Sequence, residues 1–283
     1  MIITSNAKIN IGLNITEKLP NGYHLLDMIM VPISLADKLE IKFNNQKGKL
    51  NISSNIKDIP CDEKNILYKV YKAFYEKTQI EPEDVDVYLE KNIPHESGLG
   101  GGSSNGGFFL KELNKFHNFV LSDEDLSLIG KSVGADIPFF LKNTPCRVKG
   151  IGEKLEKIQN NLECDVILIK PKFGVSTKKA YELYSKLDEK KFANIDEVLS
   201  GLKENNLKKV CENIENMLEQ GLLIDDENIQ NFRNRIKDTG LDFFMSGSGS
   251  CYYILSSKNT TGDYLKILNQ KFDDCRIIKC NFL

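Results

Sequence analysis

The sequence predicts an α+β fold, and three stretches carry that expectation. Residues 7–16, AKINIGLNIT, alternate strictly, with Ile9, Ile11, Leu13 and Ile15 on one face and Lys8, Asn10, Gly12 and Asn14 on the other, the period of a half-buried strand. Residues 62–77 place Ile66, Val70 and Phe74 four apart, the spacing of an amphipathic helix. Residues 91–114, KNIPHESGLGGGSSNGGFFLKELN, read as the end of a strand, a glycine-dense loop and the start of a helix.

Composition bounds the function. The chain has 283 residues, 41% hydrophobic and 28% charged, as in an ordinary globular protein with ample core. A net charge of -2 leaves no electrostatic footprint for nucleic acid or an anionic membrane. The N-terminus, MIITSNAK, lacks a basic segment followed by an apolar one, so a cytoplasmic location is expected. The seven cysteines form no C-x-x-C pair, and most sit in apolar contexts, which predicts reduced core thiols. Three histidines without ligand spacing make a protein-held zinc site a poor expectation, so any metal would arrive with a nucleotide.

Taken in order, the first strand faces the core with its isoleucines, and its other face is either solvated or lines a cleft. Pro20-Asn21-Gly22 is a turn, and Tyr23 and His24 follow it at once, as packing residues or as ligand contacts. Strands are expected over 25–34, 38–43 and near 49–53, then a helix over 62–77 with Asp62 near its start, then a strand over 85–89 running on to Pro94.

The glycine loop comes next. A helix N-terminus has four unpaired N–H groups and roughly half a positive charge, so a bare loop there is a site for phosphate. A tight turn that binds nothing is the plain alternative, but it requires one or two glycines, and Gly98, Gly100, Gly101 and Gly102 exceed that. A Walker loop is excluded, because Asp125 stands five before Gly130-Lys131-Ser132. A dinucleotide fingerprint is excluded by Ser103 at its last glycine, and H-R-D and D-F-G triplets are absent.

Ser122 caps a further helix that ends at Gly134. Asp136 follows in GADIPFFL, the most apolar setting of any acid in the chain, either as a functional carboxylate or as a turn former before a proline-containing strand. Residues 146–155 cross to a second half, and 166–170 form an apolar strand. Helices are expected over 178–187, 194–204, 206–220, 226–238 and 262–272, with strands over 251–255 and 275–282. A second Gly/Ser loop, MSGSGS, occupies 245–250.

These motifs carry a family resemblance over nearly the whole chain. IP-x(3)-GLGGGSS before a helix resembles the second motif of the GHMP kinases, and GLGGGSSN is similar to the branch that acts on a cytidyl-methylerythritol. AKINI and NGYH resemble the first motif, with Asn21 in place of the usual aspartate; GADIPFF, Gly150-Ile151-Gly152-Glu153 and PKFGVSTKKAY match further family segments, and MSGSGS resembles the third motif. His95-Glu96 and Gly106-Gly107 depart from family habit, and the glycine pair predicts a looser first stretch of helix.

The resemblance implies a two-domain GHMP kinase fold, with an N-terminal ATP-binding domain over 1–155, a C-terminal domain over 156–283 and the active-site cleft between them. It implies ATP with Mg²⁺ as co-substrate, bound along Pro94, His95, Glu96, Ser97, Gly98, Leu99, Gly100, Gly101, Gly102, Ser103 and Ser104, with Ser103 or Ser104 for the metal. It implies Asp136 as the base and Lys8 as its cationic partner. Asn10, Tyr23, His24, Thr177 and Tyr181 would bind the acceptor, the aromatics around its cytosine, and Gly247, Ser248 and Gly249 would lie near the phosphates. Another GHMP small-molecule kinase, or a non-catalytic nucleotide-binding protein on the same scaffold, are the alternatives, and oligomeric state has no signal in the sequence.

Overall fold

The computed structural model describes residues Met1–Leu283. Strands β1 (Ile2–Lys18), β2 (His24–Lys47) and β3 (Leu50–Ser54) lead into helix α1 (Ile66–Thr78) and strand β4 (Glu83–Glu90). Helices α2 (Gly101–Phe116), α3 (Asp123–Val133) and α4 (Ile137–Lys142) precede β5 (Cys146–Gly150), β6 (Lys154–Lys157) and β7 (Asp165–Lys170). Then come α5 (Thr177–Tyr184), α6 (Ile195–Glu204), α7 (Leu207–Glu212), α8 (Met217–Asp225) and α9 (Glu227–Lys237). Strands β8 (Phe244–Met245) and β9 (Tyr252–Ser256), helix α10 (Thr261–Lys271) and strand β10 (Arg276–Asn281) complete the chain.

Two compact units are threaded from alternate stretches: Met1–Ala7, Leu35–Ile93 and Gly100–Thr144 form the first, and Lys8–Ser34, Pro94–Leu99 and Pro145–Leu283 the second. The division after residue 155 implied by motif order partitions the chain differently.

In the first unit, β2 from Lys38 onward runs antiparallel to β4, pairing Leu39 with Leu89 and Ile41 with Val87, and β3 adds in parallel beyond β4. One face of these strands buries Leu39, Ile41, Val85, Val87 and Leu89 against Leu67, Val70 and Phe74 of α1 and Phe109, Leu110 and Leu113 of α2. Gly106 and Gly107 serve this packing. A Cβ on Gly107 would lie 3.0 Å from Cβ of Phe140, and one on Gly106 would lie 3.3 Å from Cδ1 of Ile137. The missing side chains therefore let α4 approach α2 closely, where the sequence had pointed to looseness.

In the second unit, the first part of β2 pairs antiparallel with β5, and β5 with β6. A four-stranded antiparallel sheet in the order β10-β7-β9-β8 has β7 buried over its whole length, which is why Val166–Ile169 reads as a continuous apolar run. All seven cysteines are free thiols, and Cys146, Cys164, Cys251 and Cys280 are buried.

Four boundaries differ from the sequence expectation. Strands over 25–34 and 38–43 are one strand, because the two turn formers between them are engaged elsewhere: Ser34 Oγ accepts the Asn281 N–H at 3.0 Å, and Asp37 Oδ1 accepts the N–H groups of Asn92 and Ile93. Helix α1 starts at Ile66 with Asn65 as N-cap, its side chain accepting from the Leu67 N–H, while Asp62 closes a preceding turn onto the Lys64 N–H. The helix expected over 206–220 is broken between α7 and α8, where Asn216 accepts from the N–H groups of Leu218 and Glu219 and begins a new helix. After Asp136 the chain is helical, not a strand; Pro138 lies in the first turn of α4, where its missing N–H costs nothing.

Candidate active site

In the glycine loop, Gly98 and Gly100 take positive φ, at 72° and 73°. Gly98 also presses against the third motif, since a Cβ there would lie 1.9 Å from the Ser246 carbonyl oxygen. Gly101 is held by close approach instead, its absent Cβ lying 2.9 Å from Ile93 Cγ2. A Cβ on Gly102 would meet nothing within 4 Å. Three of the four glycines thus have a steric reason, which narrows the argument from their number to Gly102.

The electrostatic argument is stronger in the structure than in the sequence. Helices α1, α3 and α5 to α9 all begin with a side chain bonded to a first-turn N–H. Helix α2, with Gly100 as N-cap, shares the lack of a side-chain cap with α4 and α10, but α10 has Asp263 in its first turn and α4 is only six residues long. So α2 is the one full-length helix whose start has neither cap nor acid. The N–H groups of Gly101, Gly102 and Ser103 precede the first bond, from Ser104 N–H to the Gly100 carbonyl at 2.9 Å. Such a terminus attracts an anion. Ser104 is fully buried, and its Oγ donates to the Asn6 carbonyl at 2.6 Å, so its hydroxyl is committed to structure; Ser103 is half-buried.

On β1 the polar face is enclosed, and the solvated alternative fails: Lys8 is 4% exposed and Asn10 3%. Lys8 Nζ donates to Asn10 Oδ1 at 2.5 Å and to the Gly98 carbonyl at 2.9 Å. Asn10 is fixed in turn by Tyr253, whose hydroxyl donates to the Asn10 carbonyl at 2.9 Å. Ser246 Oγ donates to the same Gly98 carbonyl at 3.1 Å. The third motif is tied to the loop by backbone bonds as well, from Ser250 N–H to the Glu96 carbonyl and from Cys251 N–H to the Ser97 carbonyl. Asn216 Nδ2 donates to the carbonyls of Met245 and Gly247, both at 2.9 Å. Sequence reading missed Ser246, Asn216 and Tyr253; Asn216 carried a signal, because Asn ahead of an apolar run is an N-cap that would have split the predicted helix.

Around the first motif, Asn21 Oδ1 accepts the Tyr23 N–H at 3.1 Å, so asparagine forms the Asx turn expected of it. Tyr23 is largely exposed. His24 stacks on Tyr181 with ring centroids 4.8 Å apart and meets Tyr184 edge-on at 5.8 Å. Its Nε2 is buried without a hydrogen-bond partner, and burial, with Lys18 adding to it, pushes the imidazole below its usual pKa, so the ring is neutral at pH 7. A neutral imidazole can read a donor–acceptor edge. Because His24 and Tyr181 touch, no ring fits between them as they stand. Thr177, the first residue of α5, places its Oγ1 3.1 Å from Ser248 Oγ.

Asp136, in the first unit, occupies the N-cap position of α4, but its carboxylate does not cap that helix. His95 and Glu96 are exposed on the loop; Glu96 has φ of 46° and its side chain covers Gly174, where a Cβ would lie 2.2 Å from Oε2. No group of three or more His, Cys, Asp and Glu side chains gathers into a metal cluster.

Residues 65–143 match the family described as GHMP kinases N terminal domain. A 4-diphosphocytidyl-2-C-methyl-D-erythritol kinase of Fusobacterium nucleatum is 47% identical over 281 residues, covering 98% of this chain and 96% of the relative. One of the same description from Clostridium tetani is 35% identical over 99% of both chains. Among solved structures, a 4-(cytidine 5'-diphospho)-2C-methyl-D-erythritol kinase superposes with a TM-score of 0.80 at 25% identity, covering 100% of this chain and 99% of that one. A homoserine kinase from Cytophaga hutchinsonii shares the fold, with a TM-score of 0.74 at 16% identity over 99% of this chain and 95% of its own. With such identity sustained from end to end, this chain belongs to the GHMP kinases, ATP-dependent kinases of small molecules, and within them to the 4-diphosphocytidyl-2-C-methyl-D-erythritol kinases.

Proposed function

We propose that the chain transfers the γ-phosphoryl group of ATP to the 2-hydroxyl of 4-diphosphocytidyl-2-C-methyl-D-erythritol, a step of the non-mevalonate (methylerythritol phosphate) route to isoprenoid precursors, in the cytoplasm. The observation that carries this reading is the 47% identity over 98% of the chain to a kinase of that description. The uncapped start of α2 supports it, as a place for the anionic half of ATP.

Phosphoryl transfer asks a protein mainly for alignment and for neutralising charge on the phosphoryl oxygens. The N–H groups of Gly101, Gly102 and Ser103 are the donors for those oxygens, with Pro94 to Leu99 leading into them. Asp136 takes the proton from the acceptor hydroxyl as its oxygen bonds to the γ-phosphorus and the bond to the ADP oxygen breaks. Lys8, whose ammonium is aimed by Asn10 and the Gly98 carbonyl, supplies positive charge to the reacting oxygens. Ser103, the loop hydroxyl not committed as that of Ser104 is, would be the protein group to hold Mg²⁺ carried by the nucleotide, which would supply charge neutralisation at the phosphates. Tyr23, His24 and Tyr181 hold the cytosine once Tyr181 has moved off the His24 ring, which frees Nε2 for the base edge and leaves the tyrosines for its faces; Thr177 binds the acceptor, and the Gly247–Ser248–Gly249 loop faces the phosphates.

The test is ADP release by the purified protein with Mg-ATP, with and without the cytidyl-methylerythritol acceptor. Release that depends on the acceptor and falls by roughly two to three decades in Asp136→Asn is the expected result. Acceptor-independent or absent release removes the substrate assignment; release unaltered by the substitution removes Asp136 as the base.

A further inference from the structure

The first unit buries an ion pair that the chemistry above does not use. Asp37 is wholly buried and Lys91 nearly so. Lys91 Nζ is bonded to Asp37 Oδ2, and donates to Asn105 Oδ1 at 2.9 Å. Asp37 Oδ1 accepts the N–H groups of Asn92 at 2.7 Å and Ile93 at 2.8 Å, where the chain leaves β4. Asn105 Nδ2 donates to Asp37 Oδ2 at 2.9 Å and to Ser5 Oγ at 2.7 Å. One carboxylate thus receives four donors, about its full capacity. Asn105 stands one turn into α2, and a Cβ on Gly101, the first residue of that helix, would lie 3.3 Å from the Lys91 ammonium.

Stability alone is a poor reason for such a group. Desolvating a carboxylate and an ammonium costs about what their attraction returns, and apolar replacement of a buried pair is often neutral or stabilising. What the network does that apolar residues could not is fix direction. Asp37 grips the exit of β4 through two backbone N–H groups, Asn105 grips α2 from its second turn, and Lys91 bonds to both. The first turn of α2 is therefore set in register and rotation by bonds with defined geometry. A helix terminus binds phosphate only while its free N–H groups converge on one point.

We propose that Asp37, Lys91 and Asn105 are positioning residues for the first turn of α2, and that they set nucleotide affinity without touching the nucleotide. The proposal rests on the reading that this turn receives the phosphates of ATP.

The experiment compares the full-length protein with Asn105→Ala, which leaves the ion pair intact, and with the double variant Asp37→Leu/Lys91→Met, which leaves no unpaired charge. Calorimetry gives the Kd for Mg-ATP, steady-state kinetics the KM of the acceptor, and thermal unfolding the stability. Both variants are expected to raise the Kd for Mg-ATP roughly tenfold or more, as for other small losses of alignment, with the acceptor KM within about twofold of the parent. The double variant leaves the Asn92 and Ile93 N–H groups and the Asn105 amide without their carboxylate acceptor, so its unfolding midpoint is expected to fall, and the Kd comparison is made at a temperature where it is fully folded. A purely structural role predicts otherwise: a folded variant with unchanged Kd, or one that loses both substrates equally, overturns the proposal. Failure of the unsubstituted protein to bind Mg-ATP would instead remove the functional reading on which it rests.

Discussion

Gly98 has the least latitude of any residue in the site. Alanine there would have to adopt φ of 72° and place a methyl group 1.9 Å from the Ser246 carbonyl oxygen. Strain and displacement together are expected to cost about 2–4 kcal/mol, measured by urea unfolding. Gly102→Ala, with open space at its Cβ and ordinary φ, should cost nothing and can gain up to about 1 kcal/mol by helix propensity. Equal behaviour of the two variants would contradict the close approach of loop and third motif. His24 gives a pH dependence at the same scale. Its folded pKa is lowered, so the unfolded chain binds the proton first as pH falls. The contribution of the neutral ring is complete above about pH 6.5 and declines as pH drops from there through the lowered folded value. Thermal midpoints taken from pH 8 to pH 5 should fall less steeply for His24→Gln than for the parent, and parallel curves would show that the ring's burial is not coupled to folding.

Among the elements, helix starts test how local sequence becomes structure. Asn65, not Asp62, caps α1, so Asn65→Ala should lose about 1 kcal/mol in unfolding free energy and Asp62→Ala only a few tenths. The reverse order would place the helix start where periodicity alone had put it. That misplacement shows what the sequence could and could not convey. The start of α3 was legible because Ser122 is an N-cap followed by an acid three residues on: its Oγ accepts the Asp125 N–H at 3.1 Å and donates to Asp125 Oδ2 at 2.8 Å. Residues 62–65 hold two cap candidates, and periodicity cannot choose between them. The continuity of β2 was lost for a different reason, since Asp37, a turn former by type, is engaged by the N–H groups of Asn92 and Ile93 far along the chain, whereas the break between α7 and α8 was signalled locally by the Asn216 cap.

For the whole molecule, the motif residues were visible one by one, but their support was not. Lys8, Gly98 and His24 could be picked out through the motifs they sit in, whereas Ser246 and Tyr253 act through contacts 148 and 243 residues away in sequence, to Gly98 and Asn10, and Asn216 through contacts 29 and 31 residues away, to Met245 and Gly247. A chain whose two units are each assembled from separated stretches hides its packing from any local reading. It also makes ligand binding a global measurement, because a ligand that binds only the folded chain stabilises all of it. A ligand at one hundred times its Kd adds about 2.7 kcal/mol, which for a chain of this size corresponds to a rise in thermal midpoint of about 5 °C or more. Mg-ADP should produce that rise in the parent, and cytidine diphosphate added on top of saturating Mg-ADP should produce a second one. In His24→Ala the second rise should vanish while the first persists, because the base-reading ring is absent and the start of α2 is intact. Loss of both rises would mean that His24 supports the fold and does not read a base. No second rise in the parent would remove the cytosine site from the aromatic cluster altogether.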